Sequence, residues 1–234
     1  MNILLTGASR GIGAATLKAL RDAGHNVLGS SSKGGGGLIA ADLADPDAPR
    51  RLWVSAFDAF DGKIDVLINN AGIFEAVADN ASDEDWHAAW DRTMQVNLQA
   101  AADLCRHAIA HWRAHESKGR IVNVASRAGY RGDSPQHWHY AASKAGMIAM
   151  TKTIARGYAA EGITALAVCP GFTSSEMVED YLESRGGPAL LADIPIGRPA
   201  TADEIAEVIR WLAVQAPESA TGTIVDANGA SYVR

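Results

Sequence analysis

A chain of 234 residues, 47% of them hydrophobic, is long enough for one large α/β domain, and no linker-like stretch divides it. Its 21 Lys and Arg against 27 Asp and Glu give a net charge of −6, which argues against a nucleic-acid partner. No apolar run reaches the ~18 residues of a membrane span, and Met1 leads directly into a strand pattern, so neither an anchor nor a signal peptide is expected and a cytoplasmic location is inferred.

Asn2–Thr6 (NILLT) reads as a short buried strand. It runs into Gly7-Ala8-Ser9-Arg10-Gly11-Ile12-Gly13, and Ala14–Ala23 continues as a helix with apolar Leu17 and Leu20. Strand, glycine turn and helix start form a dinucleotide cradle. Glycines allow the tight turn and a close backbone approach to the pyrophosphate, and the helix start offers it free N–H groups. The spacing is G-x-x-x-G-x-G, not the commoner G-x-G-x-x-G.

Further strands are expected at Asn26–Ser30, Gly37–Ala41, Asp65–Asn69, Arg120–Ala125, Ile163–Cys169 and Thr223–Asp226. Helical patterns cover Asp45–Phe60, Ser82–Glu116, Tyr140–Glu161 and Thr201–Ala213, with Pro46 and Thr201 as start signals. This alternation predicts a Rossmann-type, doubly wound parallel sheet of seven strands with helices on both faces. Ligands of such sheets bind outside the carboxyl ends of the strands. Gly7, Asn70, Ser126 and Pro170 all follow strand ends, which puts them on one rim.

The connection after the second strand, Ser30-Ser31-Ser32-Lys33 and then Gly34 to Gly37, has no room for a helix, and four glycines are poor helix material. A flexible loop is expected there, either a plain deletion at the sheet edge or a flap over the adenosine end of a cofactor. The segment also bears on which nucleotide binds. An Asp or Glu at this strand end holds the ribose hydroxyls of NAD and repels a 2′-phosphate. Here stand serines, with Arg10 in the glycine turn and Lys33 just beyond, and cations suit a phosphate.

Tyr140 and Lys144 are four residues apart on one helix and project from one face. A phenol titrates near ~10, so a neighbouring ammonium is expected to pull Tyr140 down toward the working range. Ser126 lies a short loop upstream.

Together these residues resemble the short-chain dehydrogenase/reductase family over nearly the whole chain, in particular its 3-oxoacyl-carrier-protein reductase-like members. TGASRGIG at Thr6–Gly13 is similar to the family's cofactor turn, and NNAG at Asn69–Gly72 to the motif ending its fourth strand. Asn97 in MQVNLQA, Ser126 in IVNVASRAG, and Tyr140 with Lys144 in YAASK match its catalytic tetrad. Pro170-Gly171 in VCPGF matches the turn after the sixth strand. The family usually has a helix where this chain has its glycine run.

The resemblance implies hydride transfer between a nicotinamide cofactor and a small-molecule carbonyl or alcohol. Tyr140 is then the proton donor, Ser126 holds the carbonyl oxygen, Lys144 tunes the tyrosine and reaches the nicotinamide ribose, and Asn97 holds a relay water. Implied cofactor contacts are Gly7, Ser9, Arg10, Gly11, Ile12, Gly13, Ser31, Ser32, Lys33, Asp42, Leu43, Asn70, Ala71, Gly72, Tyr140, Lys144, Pro170, Gly171, Thr173 and Ser175. Asp42-Leu43 would touch the adenine, and Thr173 and Ser175 the carboxamide. The expected cofactor is NADP(H), with NAD(H) as the alternative, and the expected reaction is reduction of a ketone or 3-oxoacyl group. The alternatives are an NAD-dependent alcohol dehydrogenase and a nucleotide sensor without catalysis. A homotetramer is implied, and the chemistry needs no metal.

Less is legible about the substrate. In the loop before Tyr140, His137, Trp138 and His139 either line the pocket, or Trp138 packs beneath the loop and the histidines face water. Thr173–Pro188 is expected to form an amphipathic lid. His107, His111 and His115 recur every four residues, and a solvated stripe or a subunit contact is favoured over a metal site. Cys105 and Cys169 are expected as buried free thiols.

Overall fold

Alternation of side chains across the strands builds two cores, one on each face of a sheet. In β1 (Asn2–Leu5) Leu4 joins one core, while Ile3 and Leu5 join the other. In β4 (Val66–Asn69) Leu67 faces the first, and Val66 and Ile68 the second. In β6 (Ile163–Pro170) Ala165 and Leu166 divide in the same way. The computed structural model describes residues 1–174 and 191–234. Its remaining strands are β2 (Asn26–Ser31), β3 (Ile39–Ala40), β5 (Gly119–Val124) and β7 (Ile224–Ala227). All seven are parallel in the order β3-β2-β1-β4-β5-β6-β7. The two halves run outward in opposite directions from β1 and β4, which makes the sheet doubly wound.

Helices cover both faces, as expected. The first core is roofed by α2 (Ala48–Ala59), by α4 (Ala100–Ala114) and by Ile154 and Ala155 of α6 (Trp138–Tyr158). The second is roofed by α1 (Gly11–Asp22) and α7 (Ala202–Val214). Thr201 starts α7 with a capping box: its hydroxyl accepts from Glu204 N at 3.1 Å, and the Glu204 carboxylate accepts from Thr201 N at 2.8 Å. Cys105 and Cys169 are buried free thiols.

Two departures matter for the site. The expected single helix over Ser82–Glu116 is α3 (Asp83–Met94) and α4 joined by a π-helical turn, Gln95–Gln99, which carries Asn97. A short α5 (Ala128–Arg131), unexpected from the sequence, follows the Ser126 loop. The connection between β2 and β3 has no helix, as the glycines require. It is a compact turn in which Gly34, Gly35, Gly36 and Gly37 all take positive φ. Ser31 Oγ accepts from Gly34 N at 3.0 Å, and Leu38 N donates to Gly35 O at 3.0 Å. The loop is thus internally hydrogen-bonded, and left-handed glycines let two parallel strands be joined without the usual dozen-residue crossover.

Candidate active site

The glycine turn is held from two sides. Gly7 has φ 68° and closes against the β4 end, where an added Cβ would lie 2.8 Å from Ala71 Cα. At Gly13 a Cβ would lie 1.9 Å from Gly7 O, so the first turn of α1 sits directly on the loop. Asn70 fastens the arrangement: Nδ2 donates to Thr6 O at 3.0 Å and to Gly7 O at 2.9 Å. The Thr6 hydroxyl accepts from the N–H groups of Asn70 and Ala71, both at 3.0 Å. Asn70 therefore acts through its side chain on the turn itself. Thr6 is a site-forming residue whose hydroxyl role was not foreseen; its place as the first letter of the glycine motif was the available signal.

Around the cradle, Ser9, Arg10, Gly11, Ser32, Lys33 and Asp42 are exposed, and Ile12 is half-buried. Ser30 and Ser31 are buried, and the Ser31 hydroxyl is engaged with Gly34. Of Ser31 and Ser32, the two serines implied as cofactor contacts, Ser32 alone is exposed. Asp42 Oδ1 accepts from Ala44 N at 3.1 Å, and Leu43 is buried with its carbonyl accepting from Gln95.

The four candidate catalytic residues converge from two elements, the π turn and α6, and the loop after β5. Asn97 is fully buried in the π turn. Its Oδ1 accepts from Ile73 N at 2.8 Å, while Nδ2 donates to Ile73 O at 3.0 Å and to Ser143 Oγ at 3.3 Å. Such turns recur at functional sites because they displace one residue from the helix repeat. Gly72 is the spacer between Asn97 and Lys144: a Cβ there would lie 3.3 Å from Asn97 Oδ1 and 3.4 Å from Lys144 Nζ. Lys144 is buried, and Nζ donates to Val124 O at 2.9 Å. Ser126, buried just past β5, accepts from Ala128 N at 3.1 Å and hydrogen-bonds the Tyr140 hydroxyl.

The structure reverses the expected effect of Lys144 on Tyr140. Burial pushes the Tyr140 phenol up to about 12, although the ring keeps some solvent contact, and the Ser126 hydrogen bond only partly offsets this. Lys144 Nζ lies 5.9 Å from the Tyr140 ring centroid, and burial lowers its own pKa to about 8. Two buried groups that share a site each shift toward the neutral form, and here desolvation outweighs the attraction that the i+4 spacing suggested.

The segment before Tyr140 is arranged opposite to the expectation in which the histidines face water. His137 and His139 are buried, whereas Trp138 is 53% exposed and meets Trp86 edge-on at 5.3 Å. His137 stacks on Phe74 at 3.9 Å, and Phe74 meets the Tyr140 ring edge-on at 4.8 Å. Phe74 thus reaches Tyr140 from just past NNAG, with no sequence signal beyond that proximity.

Gly171 packs tightly on Asn228, and Thr173 Oγ1 donates to Gly171 O at 3.3 Å beyond Pro170, which ends β6. Ser175 and most of the expected lid lie outside the described residues. His111 packs on Trp53 and Phe57 of α2, and His115 on Phe57, so these two residues of the histidine stripe rest on the chain's own α2. No described helix is long and apolar enough to cross a membrane.

Residues 1–186 match the short chain dehydrogenase family. The chain is 34% identical over 244 residues to a 3-oxoacyl-acyl-carrier-protein reductase of Vibrio cholerae, covering 98% of this chain and 96% of the relative. It is 35% identical over 241 residues to an acetoacetyl-CoA reductase of Shinella zoogloeoides, covering 98% and 97%. A crystal structure from Agrobacterium tumefaciens, provisionally named a 2-deoxy-d-gluconate 3-dehydrogenase and holding NADP, superposes with a TM-score of 0.86 at 30% identity over 100% of this chain and 96% of that one.

Proposed function

The chain belongs to the short chain dehydrogenase family, and on that premise we propose that it is an NADP-dependent reductase of a ketone or 3-oxoacyl carbonyl. The observation that carries this reading is the convergence of Tyr140, Ser126, Lys144 and Asn97 at the rim that also bears the Gly7–Gly13 cradle.

The residues fit a dinucleotide. The absence of a side chain at Gly13 lets the first turn of α1 close directly on the Gly7 carbonyl, that turn offers unpaired N–H groups, and no acid stands at the end of β2. Arg10, at the N-cap of α1, and Lys33 would face the 2′-phosphate with Ser32. Asp42 and Leu43 would meet the adenine, Asn70, Ala71 and Gly72 the adenine ribose side, Lys144 and Tyr140 the nicotinamide ribose, and Pro170, Gly171, Thr173 and Ser175 the carboxamide. The bound cofactor supplies the hydride.

Tyr140, with its pKa near 12, is a neutral phenol at pH 7 and so holds the proton that a carbonyl oxygen needs. Ser126 donates a second hydrogen bond to that oxygen and stabilises its developing charge. Lys144, protonated below about pH 8, stabilises the phenolate left behind. Asn97 locks the Ile73 backbone, and by family resemblance it would hold a water linking Lys144 to solvent.

The chain is further proposed to be a cytoplasmic homotetramer. Exposed Trp138 at the start of α6 and a groove of about 680 Å³ between α7 and the C-terminal tail offer surfaces for two different two-fold contacts. The test of the catalytic reading is NADPH oxidation against a panel of ketones and 3-oxoacyl thioesters. Turnover with at least one class is expected. Tight NADPH binding with no turnover on any carbonyl would favour a sensor.

A further inference from the structure

Arg127 directly follows Ser126 and is the N-cap of α5. Its N–H donates to Pro170 O at 3.0 Å, which ties the ends of β5 and β6 together at the reaction rim. Its guanidinium carbon lies 4.5 Å from the centroid of the Phe172 ring, just past Gly171. The residue is only 9% exposed, and Nη1 is buried without a hydrogen-bond partner.

The nearby carboxylates Asp193 and Asp133 favour the Arg127 charge from a distance, and neither hydrogen-bonds its Nη1. Asp193 pairs with Arg131 at 2.6 Å, and Asp133 accepts from Ser134 N at 2.8 Å. A guanidinium cannot shed its proton to escape burial, so a buried one needs an anion. Among the described residues none supplies one at Nη1, and the Phe172 face offsets only part of the lost hydration. Arg127 follows Ser126 directly in the chain and its guanidinium lies on Phe172 in the turn after β6, so the cation stands at the rim that carries Ser126.

We propose that Arg127 selects the substrate: the natural carbonyl compound carries a carboxylate a few carbons from the reacting carbon, and that carboxylate pairs with Arg127. The planar fork of a guanidinium matches a carboxylate through paired donors. An anion bound there also fixes which face of the carbonyl meets the hydride and which lone pair meets Tyr140. Arg127 touches the substrate away from the reacting atoms, so it determines specificity. This inference rests on the reductase reading above.

The test compares kcat/KM with NADPH for a 2-, a 3- and a 4-oxo acid, each against its methyl ester, and for a phosphorylated ketone. At least one acid is expected to exceed its ester by about tenfold or more, the worth of one charge-assisted contact. Arg127→Met should bring that ratio close to one, and Arg127→Lys should keep part of it. If Arg127→Met fails to fold, competition in the wild-type enzyme replaces it: a short dicarboxylate should compete with the ketone substrate, and its diester should not. Esters reduced as well as acids, a ratio that survives in Arg127→Met, a diester that competes equally, or a phosphorylated ketone preferred over every acid would each overturn the proposal while leaving the reductase standing. Absence of NADPH consumption with every carbonyl would instead sink the reading beneath it.

Discussion

Lys144 is charged, buried and, among the described residues, without a carboxylate partner. Replacing it with Met should stabilise the cofactor-free protein while ending turnover. Burial lowers its pKa from 10.5 to about 8, so the folded state holds the proton less tightly than the unfolded chain does. Below about pH 8 both states are protonated and the full penalty of burying the ammonium is present. At about 1.36 kcal/mol per pH unit the gap corresponds to about 3 kcal/mol. Loss of the Val124 carbonyl bond subtracts about 1 kcal/mol. The net gain is about 2 kcal/mol at pH 7, or roughly 4–8 °C in Tm for a chain of this size. As pH rises from about 8 to 10.5 the penalty fades, because the folded form is then neutral while the unfolded chain is still charged. Thermal unfolding of wild type and Lys144→Met at pH 7 and above pH 10 reads both effects. A variant less stable than wild type at pH 7, or a gain that does not shrink with pH, would refute the reasoning.

Gly13→Ala would place a methyl 1.9 Å from Gly7 O, so NADPH affinity should fall at least about tenfold in a fluorescence titration; unchanged affinity would contradict the cradle. Arg10→Ala should weaken NADPH by about tenfold to hundredfold and leave NADH binding as it was, since one charge-assisted contact to the 2′-phosphate is lost. An equal drop for both cofactors would remove Arg10 from that role. Light scattering at micromolar concentration should give four subunits, and a monomer would end the tetramer proposal.

The sheet was legible because apolar strands and glycine turns carry their own periodicity, and the strand limits fall within two residues of the expected ones. The missing helix after β2 was legible for the same reason, since Gly34 to Gly37 cannot hold one. What local pattern could not show was the consequence of tertiary burial. The spacing of Tyr140 and Lys144 puts them on one face, yet burial, which sequence does not display, drives their pKa values in opposite directions. The π turn at Asn97 was equally invisible, because one extra residue in a helix leaves the apolar pattern intact on both sides. Asn70 and Thr6 were visible as motif letters, but their bonds to the glycine turn join residues more than 60 positions apart. Arg127 carries no local signal in the sequence, because its burial is set by elements distant along the chain.

The central claim is that the Tyr140 hydroxyl delivers the proton during NADPH-dependent carbonyl reduction. Its most direct test is the single-turnover rate of Tyr140→Phe, measured with saturating NADPH and the best carbonyl found for wild type. The account predicts NADPH binding close to wild type and a rate reduced by ~10²–10⁴-fold, the usual contribution of a positioned general acid. A variant that keeps more than about a tenth of the wild-type rate would contradict it, because so small a loss falls below what such an acid contributes.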